Sequence, residues 1–109
     1  MGNWPLTPNY GAGVNLLWTN KNPSNAFNNQ TVSIDLSHFD AVLITFMTSQ
    51  STQRVANPVF CTTGSNARAI SYTTQIFTRD FSVSTSGVDF TAFSNNYACV
   101  PYQIFGVNF

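Results

Sequence analysis

No stretch of this chain holds a helical 3.6-residue period for ten residues, whereas short segments with strand patterning recur between turn signals. The clearest is Gln30–Leu36. There Val32, Ile34 and Leu36 share one face and Thr31, Ser33 and Asp35 the other, the two-residue period of a half-buried strand. Ala41–Thr48 is apolar on both faces, as a strand in the middle of a sheet is. Further strands are expected at Val14–Thr19, Arg54–Thr62, Ala67–Tyr72, Thr74–Val83, Val88–Ala92 and Ala98–Val107. Pro58 has no amide to donate, which places its segment at a sheet edge or a bulge; Pro101 lies near the start of its strand, where the loss matters least. The separators are turn formers, among them Asn20-Lys21-Asn22-Pro23-Ser24-Asn25 and the hairpin-type Ser84-Thr85-Ser86-Gly87. About eight short strands at this spacing predict an all-β fold, an antiparallel β-sandwich of jelly-roll-like form. At 109 residues the chain supports a single domain, 14–109, behind an irregular leader, 1–13, punctuated by Pro5 and Pro8.

Charge narrows the function. Four Lys and Arg stand against four Asp and Glu, while 43% of the chain is hydrophobic and 15% aromatic. The polar surface is therefore built from neutral side chains, 13 Asn, 13 Thr and 11 Ser. Soluble monomers usually keep a charged surface of mixed sign that resists association, so this composition points to a protein that works inside an assembly. Lys21, Arg54, Arg68 and Arg79 are scattered and form no footprint for a phosphate backbone, so no nucleic-acid partner is expected. The longest apolar run, Ala41–Met47, is strand-sized and far short of the ~20 residues that cross a bilayer as a helix. The first residues have neither the basic segment nor the apolar core of a signal peptide.

Parts for chemistry are few. His38 is the one histidine, and it lies beside Asp35 and Asp40 within a single short link, whereas a catalytic triad draws its members from separate elements. The expected role of His38 and Asp40 is to shape a turn, with Asp40 accepting backbone amides. No cofactor, metal or catalytic residue is expected: the calcium-loop spacing of acidic residues is absent, and two cysteines with one histidine make no zinc site. Cys61 and Cys99 each sit in an apolar stretch, which reads as two buried free thiols, with a disulfide as the alternative. Aromatic residues are the candidate ligand or interface groups: Trp4, Trp18, Tyr72, Tyr97 and Tyr102, with Tyr10 beside them. Rings can stack on sugars, or fill a core or a subunit contact.

Two stretches carry a resemblance. One is Leu16-Leu17-Trp18-Thr19-Asn20 followed by Phe27-Asn28-Asn29-Gln30-Thr31-Val32-Ser33-Ile34-Asp35-Leu36-Ser37-His38-Phe39-Asp40-Ala41-Val42-Leu43-Ile44. The other is the ending Val100-Pro101-Tyr102-Gln103-Ile104-Phe105-Gly106-Val107. Together they cover about a third of the chain. They are similar to the small β-domains of tail-fibre, receptor-binding and related structural proteins of tailed bacteriophages and prophages, with Phe39 and Phe105 where tyrosine is usual. The resemblance implies an antiparallel sandwich that commonly trimerises on a virion, and it brings no catalytic residues. The expectation is a non-enzymatic virion structural protein, a tail-fibre, receptor-binding or head-decoration component. It would be made in the bacterial cytoplasm and carried on the phage particle, with itself (as a homotrimer) and other virion proteins as partners. The alternative is a carbohydrate-binding module of the same fold that recognises a bacterial surface glycan. A monomeric extracellular domain of cellular origin is a further rival, which a Cys61–Cys99 disulfide would favour.

Overall fold

The structure, a computed structural model, describes residues 12–47, 57–72 and 75–109. Eight strands follow one another: β1 Gly13–Thr19, β2 Gln30–Ser33, β3 Ala41–Met47, β4 Val59–Thr62, β5 Asn66–Tyr72, β6 Ile76–Ser84, β7 Gly87–Phe93 and β8 Val100–Asn108. They form two four-stranded sheets, ordered β1-β8-β3-β4 (sheet I) and β2-β7-β6-β5 (sheet II), and every pairing is antiparallel. The chain is an all-β sandwich. The nested pairs β1–β8 and β2–β7 are arranged as in a jelly roll, while the inner strands close as two hairpins, β3–β4 and β5–β6.

Each strand lies where its apolar alternation places it, with differences at the ends that have local causes. β2 stops at Ser33 although the alternation runs on to Leu36. The amides of Ile34 and Leu36 donate instead to the carbonyls of Ser86 (3.2 Å) and Thr85 (2.8 Å), in the turn between β6 and β7. Leu36 thus stays fully buried while its backbone has left the ladder and started towards the other sheet. The link 37–40 therefore joins strands of opposite sheets. β4 begins just after Pro58 and is an edge strand, as the missing amide requires; the 54–56 part of the expected strand lies outside the described residues. β8 starts at Val100, because 95–99 is folded into a turn closed by the Ala98 amide on the Asn95 carbonyl (2.8 Å). Thr85 and Ser86 make the two-residue β6–β7 turn, and Gly87 after them has φ +147°. Its missing side chain leaves room for the Val32 carbonyl of β2.

Between the sheets, a chain of rings runs from one layer to the other. Trp18 on β1 meets Phe27 edge-on (6.4 Å between centroids), and Phe27 meets Phe90 on β7 (5.2 Å). Phe90 meets Phe81 on β6 (5.7 Å), and Phe81 meets Phe46 on β3 (6.2 Å). Leu36, Val42, Ile44, Val88, Val100 and Ile104 fill the space around them with no exposed surface. The link residue Phe39 closes the same layer by lying on the backbone of Gly106 in β8, where a β-carbon would sit 2.6 Å from its ring. Gly106→Ala is expected to cost about 1–3 kcal/mol through this overlap, read as a lower urea midpoint with the slope unchanged.

Candidate functional site

The two sheets differ in the charge they carry on their outer surfaces. No strand residue of sheet I carries a charge. Sheet II holds Arg68 on β5, Arg79 and Asp80 on β6, and Asp89 on β7. On sheet II the side chains of Arg68, Asp80 and Asp89 point outwards. Arg68 grips Asp80 through Nε on Oδ1 (2.5 Å) and Nη2 on Oδ2 (3.1 Å), and Thr31 of β2 donates to Asp89 Oδ1 (3.2 Å). The hydrogen bond and charge of Arg68 hold the Asp80 carboxyl below its ordinary value of 3.8. Beside the pair lies a shallow groove of about 460 Å³, lined by Asn66, Arg68, Asp80, Ser82 and Thr91. Tyr72 and Ile76 stand opposite each other at one end of this face, 71% and 61% exposed.

Sheet I is different. Its register sets Leu16 (β1) beside Phe105 (β8), Phe105 beside Leu43 (β3), and Leu43 beside Phe60 (β4). All four are on the outward parity, so one apolar row crosses the whole sheet. Val14 and Val107 form part of the next row. The row's ends are the most open, with Leu16 53% and Phe60 49% exposed, and the Phe109 ring comes within 6.0 Å of Phe60. The double-sided apolarity of Ala41–Met47 has its explanation here. Val42, Ile44 and Phe46 face the sandwich core, while Leu43, Thr45 and Met47 face outwards and are only half-buried.

The candidate aromatics do not converge. Trp18 is half-buried and turned inwards against Phe27. Tyr97 is half-buried in the 95–99 turn, its amide donating to Asn95 Oδ1 (2.8 Å), and Tyr102 is half-buried on β8. Tyr72 is the most open ring of the three tyrosines described. Trp4 and Tyr10 lie outside the described residues. In the link around His38, the acceptor of local amides is Asp35 rather than Asp40. Asp35 Oδ1 takes the amide (3.0 Å) and hydroxyl (2.6 Å) of Ser37, which holds its carboxyl below the ordinary value of 3.8. Asp40 Oδ2 instead accepts the distant Phe109 amide (2.9 Å), tying the end of β8 to the start of β3. His38 itself is exposed on the turn. Among the described residues no cluster of three metal-ligating side chains occurs.

Arg79 is the residue whose placement composition conceals. It is fully buried on the inner parity of β6, in phase with Phe77, Phe81 and Val83. Its Nε donates to the carbonyls of Ala98 (3.1 Å) and Cys99 (2.9 Å), and its Nη2 to that of Asn96 (3.2 Å). Its guanidinium carbon lies 5.3 Å from the Phe27 ring centre and 5.1 Å from that of Phe93. Among the described residues Nη1 is buried without a partner, and the one ion pair is Arg68–Asp80. Burial pushes the Arg79 guanidinium down to about 10, with Cys99 opposing the shift. The carbonyl clamp holds the 95–99 turn, in which Cys99 takes a left-handed φ of +46° that non-glycine residues seldom adopt. Cys99 and Cys61 are both buried free thiols, and burial pushes each above its ordinary value of 9.0. Set against known proteins, the chain matches no family model, no curated protein and no solved structure.

Proposed function

We propose that this chain is a non-enzymatic structural protein of a bacteriophage particle, a tail-fibre, receptor-binding or head-decoration component that acts by assembling with copies of itself, as a homotrimer. The observation that carries the assembly is the segregation of charge: among the described residues the outer face of sheet II holds Arg68, Asp80 and Asp89, with Ile70, Tyr72 and Ile76 exposed beside them, whereas that of sheet I holds an apolar row and no charge. A contiguous apolar face on a soluble domain marks an interaction surface. The phage setting is supported by the two stretches similar to phage structural domains, parts of which form β2, β3 and β8. A structural role is supported by the link around His38, where Asp35 and Asp40 are engaged in hydrogen bonds to backbone amides.

Light scattering at micromolar concentration is expected to give a multiple of the 12.0 kDa protomer mass, three for the homotrimer. Antiserum against the protein is expected to label purified particles of the phage that encodes it. A protein that stays monomeric on concentration would overturn the assembly reading, and unlabelled particles would overturn the virion reading. The groove beside Arg68–Asp80, with the open Tyr72 ring on the same face, favours a second reading as a glycan-binding module. Glycan-array binding that disappears in Tyr72→Ala would put that reading first.

A further inference from the structure

We propose that the outer face of sheet I is the subunit interface, and that its occupant is a second copy of this chain. The inference rests on the assembly reading above and assigns it a surface. A face that packs against copies of itself must be its own complement, and charge is the usual obstacle, since like charges then meet. Among the described residues of this face the obstacle is absent, because β1, β8, β3 and β4 contain no charged residue. The row Leu16–Phe105–Leu43–Phe60 is apolar from one edge strand to the other, so either half of it can meet either half of a neighbour's.

The size of the face also fits. Four strands about 4.8 Å apart, with about seven residues each at 3.4 Å, give a plane of roughly 450 Å² per copy. A pair that shares the whole face covers roughly 900 Å² before side-chain relief is added, close to the ~1,000 Å² from which specific interfaces start; in a trimer the same face is divided between two neighbours. The edges point the same way. Edge strands are commonly guarded by charged side chains. β1 and β4, the edges of sheet I, carry no charge in their described residues; of the two edges of sheet II, β5 carries Arg68 and β2 carries none.

The test compares the wild-type chain with Phe60→Lys combined with Leu16→Lys, two outward residues on edge strands, about half exposed in one protomer. Ile70→Lys is the control, equally exposed at 53% but on sheet II. Light scattering is expected to show an assembled wild type, an assembled Ile70→Lys, and a 12.0 kDa monomer for the double variant, with the far-ultraviolet spectrum unchanged. If the lysines prevent folding, Phe60→Ser with Leu16→Ser takes their place, and a tenfold or greater rise in the concentration at half-assembly is expected. A folded double variant that keeps the wild-type mass would overturn this assignment while leaving the assembly reading intact. A monomeric wild type would overturn both. A monomeric wild type that associates once residues 1–11 are deleted would assign the face to the leader instead.

Discussion

Arg79→Ala is expected to lower the unfolding free energy by about 3–5 kcal/mol, from buried carbonyls left unpaired together with the void left by a large, fully buried side chain. The carbonyls of Ala98 and Cys99 lose their donor together, while that of Asn96 keeps the Phe27 amide (2.8 Å), and a buried acceptor left unpaired costs about 1–3 kcal/mol. The stems of Phe27 and Phe93 lose the cation lying 5.3 and 5.1 Å from their rings, and a void opens between them. One effect opposes these. The guanidinium is itself desolvated, and burial pushes its folded value down to about 10, below the ordinary guanidinium range. By linkage, a base with a lowered folded pKa is penalised wherever it is charged, so the penalty is complete at pH 7 and is relieved only as pH rises past about 10. Removing the charge lifts that penalty but leaves the carbonyls unpaired, and the carbonyls win. Arg79→Met separates the two, because it restores most of the volume while supplying no donor. It is expected to remain clearly destabilised in urea, though less than Arg79→Ala. If Arg79→Met were as stable as the wild type, the carbonyl clamp would have no energetic weight.

This clamp shows what could and could not be read from the chain. Arg79 shares the parity of Phe77, Phe81 and Val83 in the sequence, yet parity does not carry the identity of the carbonyls that make burial tolerable, since they come from a turn 17–20 residues away. The eight strands were legible because each is short, apolar on one parity and bounded by turn formers. Their assignment to sheets was not. β3 and β8 pair across 53 or more positions, and alternation labels a face without naming a partner. β2 ended early for the same reason: its continued alternation was real, but the backbone bonds went to the β6–β7 turn. For the candidate interface, Ala41–Met47 read as a strand covered on both sides. The sandwich core covers one of those sides in the protomer, and the other is the outer face of sheet I. Leu16-Leu17-Trp18 could not be divided into inner and outer residues in advance, because a register shift falls between Leu16 and Trp18.

Phe90→Ala is the other large effect expected, about 3–5 kcal/mol from lost transfer energy and the cavity left behind. Phe90 has no exposed surface and stands between Phe27 and Phe81, so its removal breaks the line of rings that joins β1 and β3 of sheet I to β6 and β7 of sheet II. The half-exposed Phe60 provides the contrast: Phe60→Ala removes the same ring and is expected to cost well under half as much in the monomer, because its ring already meets water. A domain of this size is stable by only about 5–15 kcal/mol, so Phe90→Ala removes more than half of the total at the lower end. The geometry also sets a condition on additivity. Phe27 touches Phe90 edge-on at 5.2 Å and lies under the Arg79 guanidinium, so the first ring lost already loosens the second. Phe27→Ala combined with Phe90→Ala is therefore expected to cost less than the sum of the two single changes, by at least ~0.5 kcal/mol in a double-mutant cycle. Strict additivity would mean that the rings pack independently, and that the sheets are held together by the aliphatic residues around them rather than by the aromatic line.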